Sequence, residues 1–231
     1  MRRRIAPCAW LVVLVVLVTP SATPGAAATQ PPPHEPLVVF LGDSLTAGLG
    51  LEEEQAWPAH VAAALAAEGR PIRMVNAGVS GDTTAGGLAR LGWLLRQQPD
   101  VVVVELGAND GLRGAPIAEI ESNLRQIVER IRSAGAKVLL CGMRIPTNYG
   151  PEYTAAFFAV YAKLAHELHV PEVPFLLEGV GGHPDLTQAD GLHPTAAGHE
   201  IVAKTVLPYL REVLAGRDQA GEKKDQVRED R

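Results

Sequence analysis

Cysteine is all but absent from this chain: 231 residues contain only Cys8 and Cys141. A disulfide-stapled miniprotein is thereby excluded, and stability must come from packing. A basic excess is missing as well. Lysine and arginine number 21 against 26 acidic residues, a formal net charge of −5. Nucleic-acid binders carry a basic excess or a basic stripe, so no nucleic-acid partner is expected. Long hydrophobic runs are lacking too. The most sustained, Trp10–Val18, is too short to cross roughly 30 Å of hydrocarbon. There is no internal repeat. What remains, 47% hydrophobic and 20% charged, suits one globular domain long enough to bury a core.

Composition sets the two ends apart. Arg2, Arg3 and Arg4, the apolar run and the small residues closing on Ala26–Ala28 make a cleavable export signal over residues 1–28. Cys8 lies before the apolar run, whereas a lipoprotein signal needs its cysteine after it. Cleavage removes three arginines and no acid, and leaves Cys141 as the only cysteine, read as a buried hydrophobe. The expected product is exported, periplasmic or secreted, with no stable membrane anchor, and monomeric. Residues 29–36 are a Pro-rich extended linker. Residues 216–231 form a charged tail, expected to be disordered. From Arg217 onward it holds five acidic and five basic residues with almost nothing apolar to bury. The domain itself is placed at 37–215.

Within it, strand and helix signals alternate. Leu37–Leu41, Ile72–Ala77, Val101–Leu106, Lys137–Met143 and Val173–Leu177 read as strands, the last an edge strand because of Pro174. Between them, Pro58 opens a helix that Gly69 closes. Thr83 or Thr84 caps a second, with Leu88, Leu91 and Leu95 on one face. Ile117, Ile120, Leu124, Ile127, Val128 and Ile131 keep a 3.6-residue period, as do Phe157, Val160, Tyr161, Leu164 and Leu168. A closing helix over Thr195–Ala215 is expected to bend or break at Pro208. The pattern predicts an α/β fold: a three-layer α/β/α sandwich around a five-stranded parallel sheet of flavodoxin-like topology.

In such a sheet ligands bind beyond the carboxyl ends of the strands. Those exits carry Gly42-Asp43-Ser44-Leu45, then Asn76 to Asp82, then Gly107-Ala108-Asn109-Asp110, and finally Asp190-Gly-Leu-His193-Pro194. Taken singly, each has an ordinary reading: Ser44 as a turn serine, Asn109 as a turn former, Gly81 as a residue permitting positive φ, Asp190 and His193 as loop polar groups. Together, each at a strand exit, they supply a nucleophile, a base, an orienting carboxylate and oxyanion donors. A strand followed by Ser44, Thr46, Gly48 and Gly50 also allows a different class, a flavodoxin-like phosphate- or cofactor-binding protein. His166, His169, His183 and His199 suggest no metal site.

These blocks resemble the GDSL or SGNH hydrolase family: Ser44 in GDSL, Gly81 in SGD, Asn109 in GAND and His193 in DGLHP. The likeness spans Leu37 to Leu214 and includes Trp57-Pro58, Asn76-Ala77, Gly107–Gly114 and Asn148-Tyr-Gly150. It is nearest to the exported bacterial branch with arylesterase, thioesterase and lysophospholipase activities. The resemblance implies an SGNH hydrolase topology and a serine esterase with a Ser44–His193–Asp190 triad and an acyl-enzyme intermediate. It implies oxyanion donors from the Ser44 and Gly81 backbone and the Asn109 amide, and no metal or cofactor. Asp43 is given a structural role, organising the turn that presents Ser44. Leu45, Leu106, Ile145, Pro146 and Tyr149 are candidates to line an acyl site. The expected substrate is a small acyl ester, thioester or lysophospholipid; a secreted carbohydrate acetylesterase of the same fold is the alternative.

Overall fold

The computed structural model describes residues 35–229, with side chains as far as residue 216. The expected signal segment and nearly all of the Pro-rich linker lie outside the described residues. No described helix is long and apolar enough to cross a membrane.

Five parallel strands form the sheet: β1 Leu37–Gly42, β2 Arg73–Gly78, β3 Val101–Glu105, β4 Lys137–Cys141 and β5 Glu172–Val173. Their order is β2-β1-β3-β4-β5. β1 and β3 are buried along their whole length, which is why they read as unbroken apolar runs rather than alternating ones. In register, Val39 lies between Val75 and Val102. The helices are α1 Ser44–Ala47, α2 Trp57–Ala67, α3 Thr84–Leu95, α4 Ala108–Leu112, α5 Ile117–Ser133, α6 Pro151–Leu168 and α7 Ala196–Glu229. α2 packs with α7, while α3, α5 and α6 pack side by side, giving a layer on each face of the sheet. The expected three-layer parallel architecture is the one observed.

Several local expectations shift. Leu91 and Leu94, not Leu88 and Leu95, are the fully buried leucines of α3; Leu88 and Leu95 are only partly buried against the core. β5 stops at Val173 because Pro174 has no N–H to give the ladder. β4 likewise ends at Cys141, two residues early. Pro208 lies inside α7 without ending it. Pro208 and Lys204 are both exposed, so water can solvate the carbonyl that the ring leaves without a donor. Helix α7 continues to Glu229, through the residues expected to form the charged tail. Glutamate, lysine, glutamine and alanine, which recur there, are good helix formers.

The strand order sets the site. From β1 the chain crosses one way to β2 and from β3 the other way to β4, so the connections leaving β1 and β3 diverge. That divergence opens a crevice at their carboxyl ends.

Candidate active site

Ser44 follows β1 after the single residue Asp43 and begins α1. Asp43 caps that short helix, accepting the Leu45 N–H at 2.9 Å. Gly42 is required by close approach: a Cβ there would lie 2.0 Å from Thr46 Oγ1 and 2.6 Å from Glu105 Oε2. The turn is therefore tight, and Ser44 sits at its apex with only 7% of its surface exposed.

His193 Nε2 lies 2.8 Å from Ser44 Oγ, and His193 Nδ1 lies 2.5 Å from Asp190 Oδ2. The carboxylate holds the Nδ1–H tautomer, leaving Nε2 to accept the hydroxyl proton. Asp190 Oδ1 also accepts the N–H groups of Leu192 (2.9 Å) and His193 (3.0 Å). Donation from the His193 ring, then from these two N–H groups, lowers the Asp190 carboxyl to about 2. The loop that carries both residues is closed by the Thr187–Pro194 bridge and by Gln188, whose N–H donates to the His193 carbonyl at 2.7 Å.

Asn109 sits in the first turn of α4 and donates from Nδ2 to Asp43 Oδ2 at 2.9 Å. The second Nδ2 hydrogen remains for a ligand. Gly81 has φ +80°, and the only heavy atom near a Cβ built there is Arg113 Nη2, 3.9 Å away. Its glycine answers to conformation rather than to crowding. The Ser44 and Gly81 N–H groups have no acceptor among the described residues. With the Asn109 amide they are three donors at the exits of β1, β2 and β3, as an oxyanion would need.

The frame beneath these donors is polar and specific, and the sequence did not single out most of it. Arg90 donates to Asp82 (2.7 Å), to the Ala77 carbonyl (2.7 Å) and to the Gly42 carbonyl (2.9 Å), tying β2 to β1 below Gly81. Arg113 donates to the Gly81 carbonyl at 3.0 Å. Asp110 accepts both the N–H (2.9 Å) and the hydroxyl (2.6 Å) of Thr84, anchoring α4 to α3. Asn76 links its own strand exit to the Thr46 carbonyl at 2.9 Å.

The candidate acyl contacts divide. Leu45, Leu106 and Ile145 are buried at 6%, 0% and 8% exposure and belong to the core. Leu106 fills the space beside Gly87, and Ile145 packs on Gly111. Pro146 and Tyr149 are exposed. A cleft of about 580 Å³ opens beside Tyr149, with Ile117, Pro151 and Tyr153 along it. Sequence reasoning missed the exposed apolar side chains of Leu49, Val79, Trp93 and Leu192. Trp93 lies on α3, Leu49 in the loop that follows Ser44, and Val79 and Leu192 in the loops bearing Gly81 and His193. An apolar residue next to a site residue in such a loop was the available signal. His166, His169 and His183 are exposed, while His199 is buried. Among the described residues no three His, Cys, Asp or Glu side chains cluster as metal ligands would.

Known proteins are similar to this chain in sequence and fold. The chain is 48% identical over 178 residues to the esterase TesA of Pseudomonas aeruginosa, covering 77% of this chain and 89% of that protein. It is 43% identical over 178 residues to thioesterase 1/protease 1/lysophospholipase L1 of Escherichia coli strain K12, covering 77% of this chain and 84% of that one. A crystal structure of TesA superimposes with a TM-score of 0.75 at 47% identity, over 77% of this chain and 99% of that chain. Residues 40–201 match the profile of the GDSL-like lipase/acylhydrolase family, which agrees with the likeness read from the four sequence blocks. The chain belongs to that family, and it is an ester hydrolase.

Proposed function

We propose that the protein hydrolyses carboxylic acyl esters and thioesters through an acyl-enzyme on Ser44. The observation that carries this reading is the unbroken chain of hydrogen bonds from Ser44 Oγ through His193 to Asp190. Ser44 Oγ attacks the acyl carbonyl while His193 Nε2 takes its proton. Asp190 holds the ring and stabilises the imidazolium that forms. The carbonyl oxygen, now negative, is met by the Ser44 and Gly81 N–H groups and the Asn109 amide. His193 then returns the proton to the leaving alcohol or thiol, and water enters by the same route to release the acid.

Leu49, Val79, Tyr149 and Leu192 give the acyl chain an apolar rim. The names of the two relatives, an esterase and a thioesterase/lysophospholipase, support small acyl esters, thioesters and lysophospholipids as the substrate class. The basic, apolar and small-residue pattern of residues 1–28 supports export to the periplasm or beyond, and the domain is taken to act as a monomer. The experiment is a panel of nitrophenyl esters, acyl thioesters and lysophospholipid, run with the wild type and Ser44→Ala. Turnover in the wild type, with loss of about four to six decades in a folded Ser44→Ala, supports the reading. A Ser44→Ala variant retaining turnover overturns it.

A further inference from the structure

Glu105 ends the otherwise apolar strand β3, and it is fully buried. Its Oε2 accepts the Asp43 N–H at 3.2 Å and the Thr46 hydroxyl at 2.8 Å. Its Oε1 is buried with no donor against it among the described residues. Asp43, itself 1% exposed, is held against Glu105 by that backbone bond, close enough for the charge of its carboxyl to act on Glu105. No lysine or arginine forms an ion pair with either acid among the described residues. Arg90, which reaches the Gly42 carbonyl, is spent on Asp82. Two carboxyl groups sealed together without a cation cannot both be ionised. One proton must stay between them.

The partners decide where. Asp43 accepts from the Leu45 N–H and from the Asn109 amide, the bonds a carboxylate makes. Glu105 Oε1 has no donor against it among the described residues, so a proton on the Glu105 carboxyl displaces no hydrogen bond, whereas one on Asp43 would. We propose that Glu105 is a positioning residue, holding a proton that it donates to Asp43 and so fixing the Asp43 carboxylate on the amide of Asn109. This rests on the reading of Asn109 as an oxyanion donor. Burial first, and then the charge of Asp43, pushes the Glu105 carboxyl well up, in the direction the proposal needs. The other titratable groups facing the pair are Tyr161 from α6, Cys141 on β4 and His193. Burial raises Tyr161 and Cys141, so neither supplies a competing charge. His193 alone brings positive charge, and it favours an ionised Asp43.

The test compares Glu105→Gln, Glu105→Leu, Asn109→Ala and the Glu105→Leu/Asn109→Ala double variant on a short nitrophenyl ester. A glutamine keeps a neutral donor toward Asp43 and an acceptor for Thr46, so Glu105→Gln keeps kcat within a few-fold of wild type. It also loses any alkaline decline caused by ionisation of Glu105. Glu105→Leu lowers kcat roughly 10- to 100-fold with little change in KM, less than loss of an oxyanion donor itself. In the Asn109→Ala background the same change adds little, because both act through one amide. Infrared spectra of the wild-type protein at neutral pH contain the carbonyl stretch of a neutral carboxylic acid, and Glu105→Gln lacks it. Wild-type kcat in a folded Glu105→Leu, additive losses in the double variant, or no neutral-acid band overturns the proposal. If Glu105→Leu fails to fold, the glutamine variant and the infrared band still decide. An unchanged kcat in Asn109→Ala strikes instead at the oxyanion reading, so the two failures are told apart.

Discussion

The side-chain amide of Gln188 donates to the Leu49 carbonyl at 2.8 Å, joining the loop that carries His193 to the loop that follows Ser44. The same amide donates to the Pro194 carbonyl at 3.0 Å. Two loops far apart in sequence thus share one anchor, and the Ser44–His193 distance depends on it. Replacing Gln188 by alanine leaves the core intact but lets the base loop drift. Misplacement of about 1 Å can cost up to roughly 10²-fold in rate. We expect kcat to fall by about tenfold, with a melting temperature near that of wild type. Labelling of Ser44 by an organophosphate slows in parallel. Unchanged labelling and kcat would show that the bridge between these loops does not position the base.

Asn109 separates an oxyanion donor from an ordinary turn residue. As an oxyanion donor, its free amide hydrogen would act when the carbonyl oxygen becomes negative, and therefore mainly in the transition state. Asn109→Ala should lower kcat by about 10²–10³-fold with little change in KM. Asn109→Asp should be at least as harmful, because it faces Asp43 with a second carboxylate in place of the 2.9 Å donor. Steady-state kinetics alongside thermal unfolding check this. A near-normal kcat in Asn109→Asp removes Asn109 from the site.

Much of this was legible in the sequence because α/β geometry gathers every strand exit at one rim. Ser44, Gly81, Asn109 and the Asp190–His193 pair needed only the strand ends to be located. The helical stripes were legible for the same local reason, as Ile120, Leu124, Ile127, Val128 and Ile131 of α5 show. Contacts between distant residues were not. Gln188 and Leu49 are 139 positions apart, and no local pattern announces their bond. Nor could the sequence say which way a side chain points once a strand ends. Leu106 turned out to be core, whereas Leu192 stands exposed at the rim. Glu105 did carry a readable signal, a lone acid in an apolar run, since such a residue is either paired or protonated.

Asp190 is read through its effect on His193. Its Oδ2 fixes the Nδ1–H tautomer, and its Oδ1 holds the backbone of the same loop through two N–H bonds. Asp190→Asn keeps the shape but presents an amide, which favours the wrong tautomer. We expect kcat to fall by about 10⁴-fold with little loss of stability, since Asp190 is exposed. Asp190→Glu, one methylene longer, should recover only part of the loss. Kinetics at pH 7 with far-ultraviolet circular dichroism of each variant provide the check. A fall of less than about tenfold in Asp190→Asn would mean that another group orients the ring.

His199 gives the protein an acid-side weakness that has nothing to do with the reaction. Its Nδ1 accepts the Trp57 N–H at 3.1 Å, pinning the first turn of α2 to that of α7. The ring is 1% exposed, and burial, followed by the charges of His60 and His193, lowers it from 6.5 to about 4. A protonated ring would also lose the acceptor that Trp57 needs. The folded state therefore holds this histidine neutral, while the unfolded chain protonates it at the ordinary value. Its contribution to stability is complete above pH ~6.5 and is lost as pH falls from there to about 4. Each pKa unit is worth about 1.4 kcal/mol, so the loss across that window is roughly 3 kcal/mol. The depressed carboxyl of Asp190 weakens the fold only at lower pH, as protons reach it between its unfolded value and about 2. His199→Asn keeps an acceptor for Trp57 and removes the titration. Its urea-unfolding free energy should change less between pH 7 and pH 4 than that of wild type, by about the amount above. Equal slopes in the two proteins would mean that His199 is already charged in the folded state, or that its bond to Trp57 survives protonation.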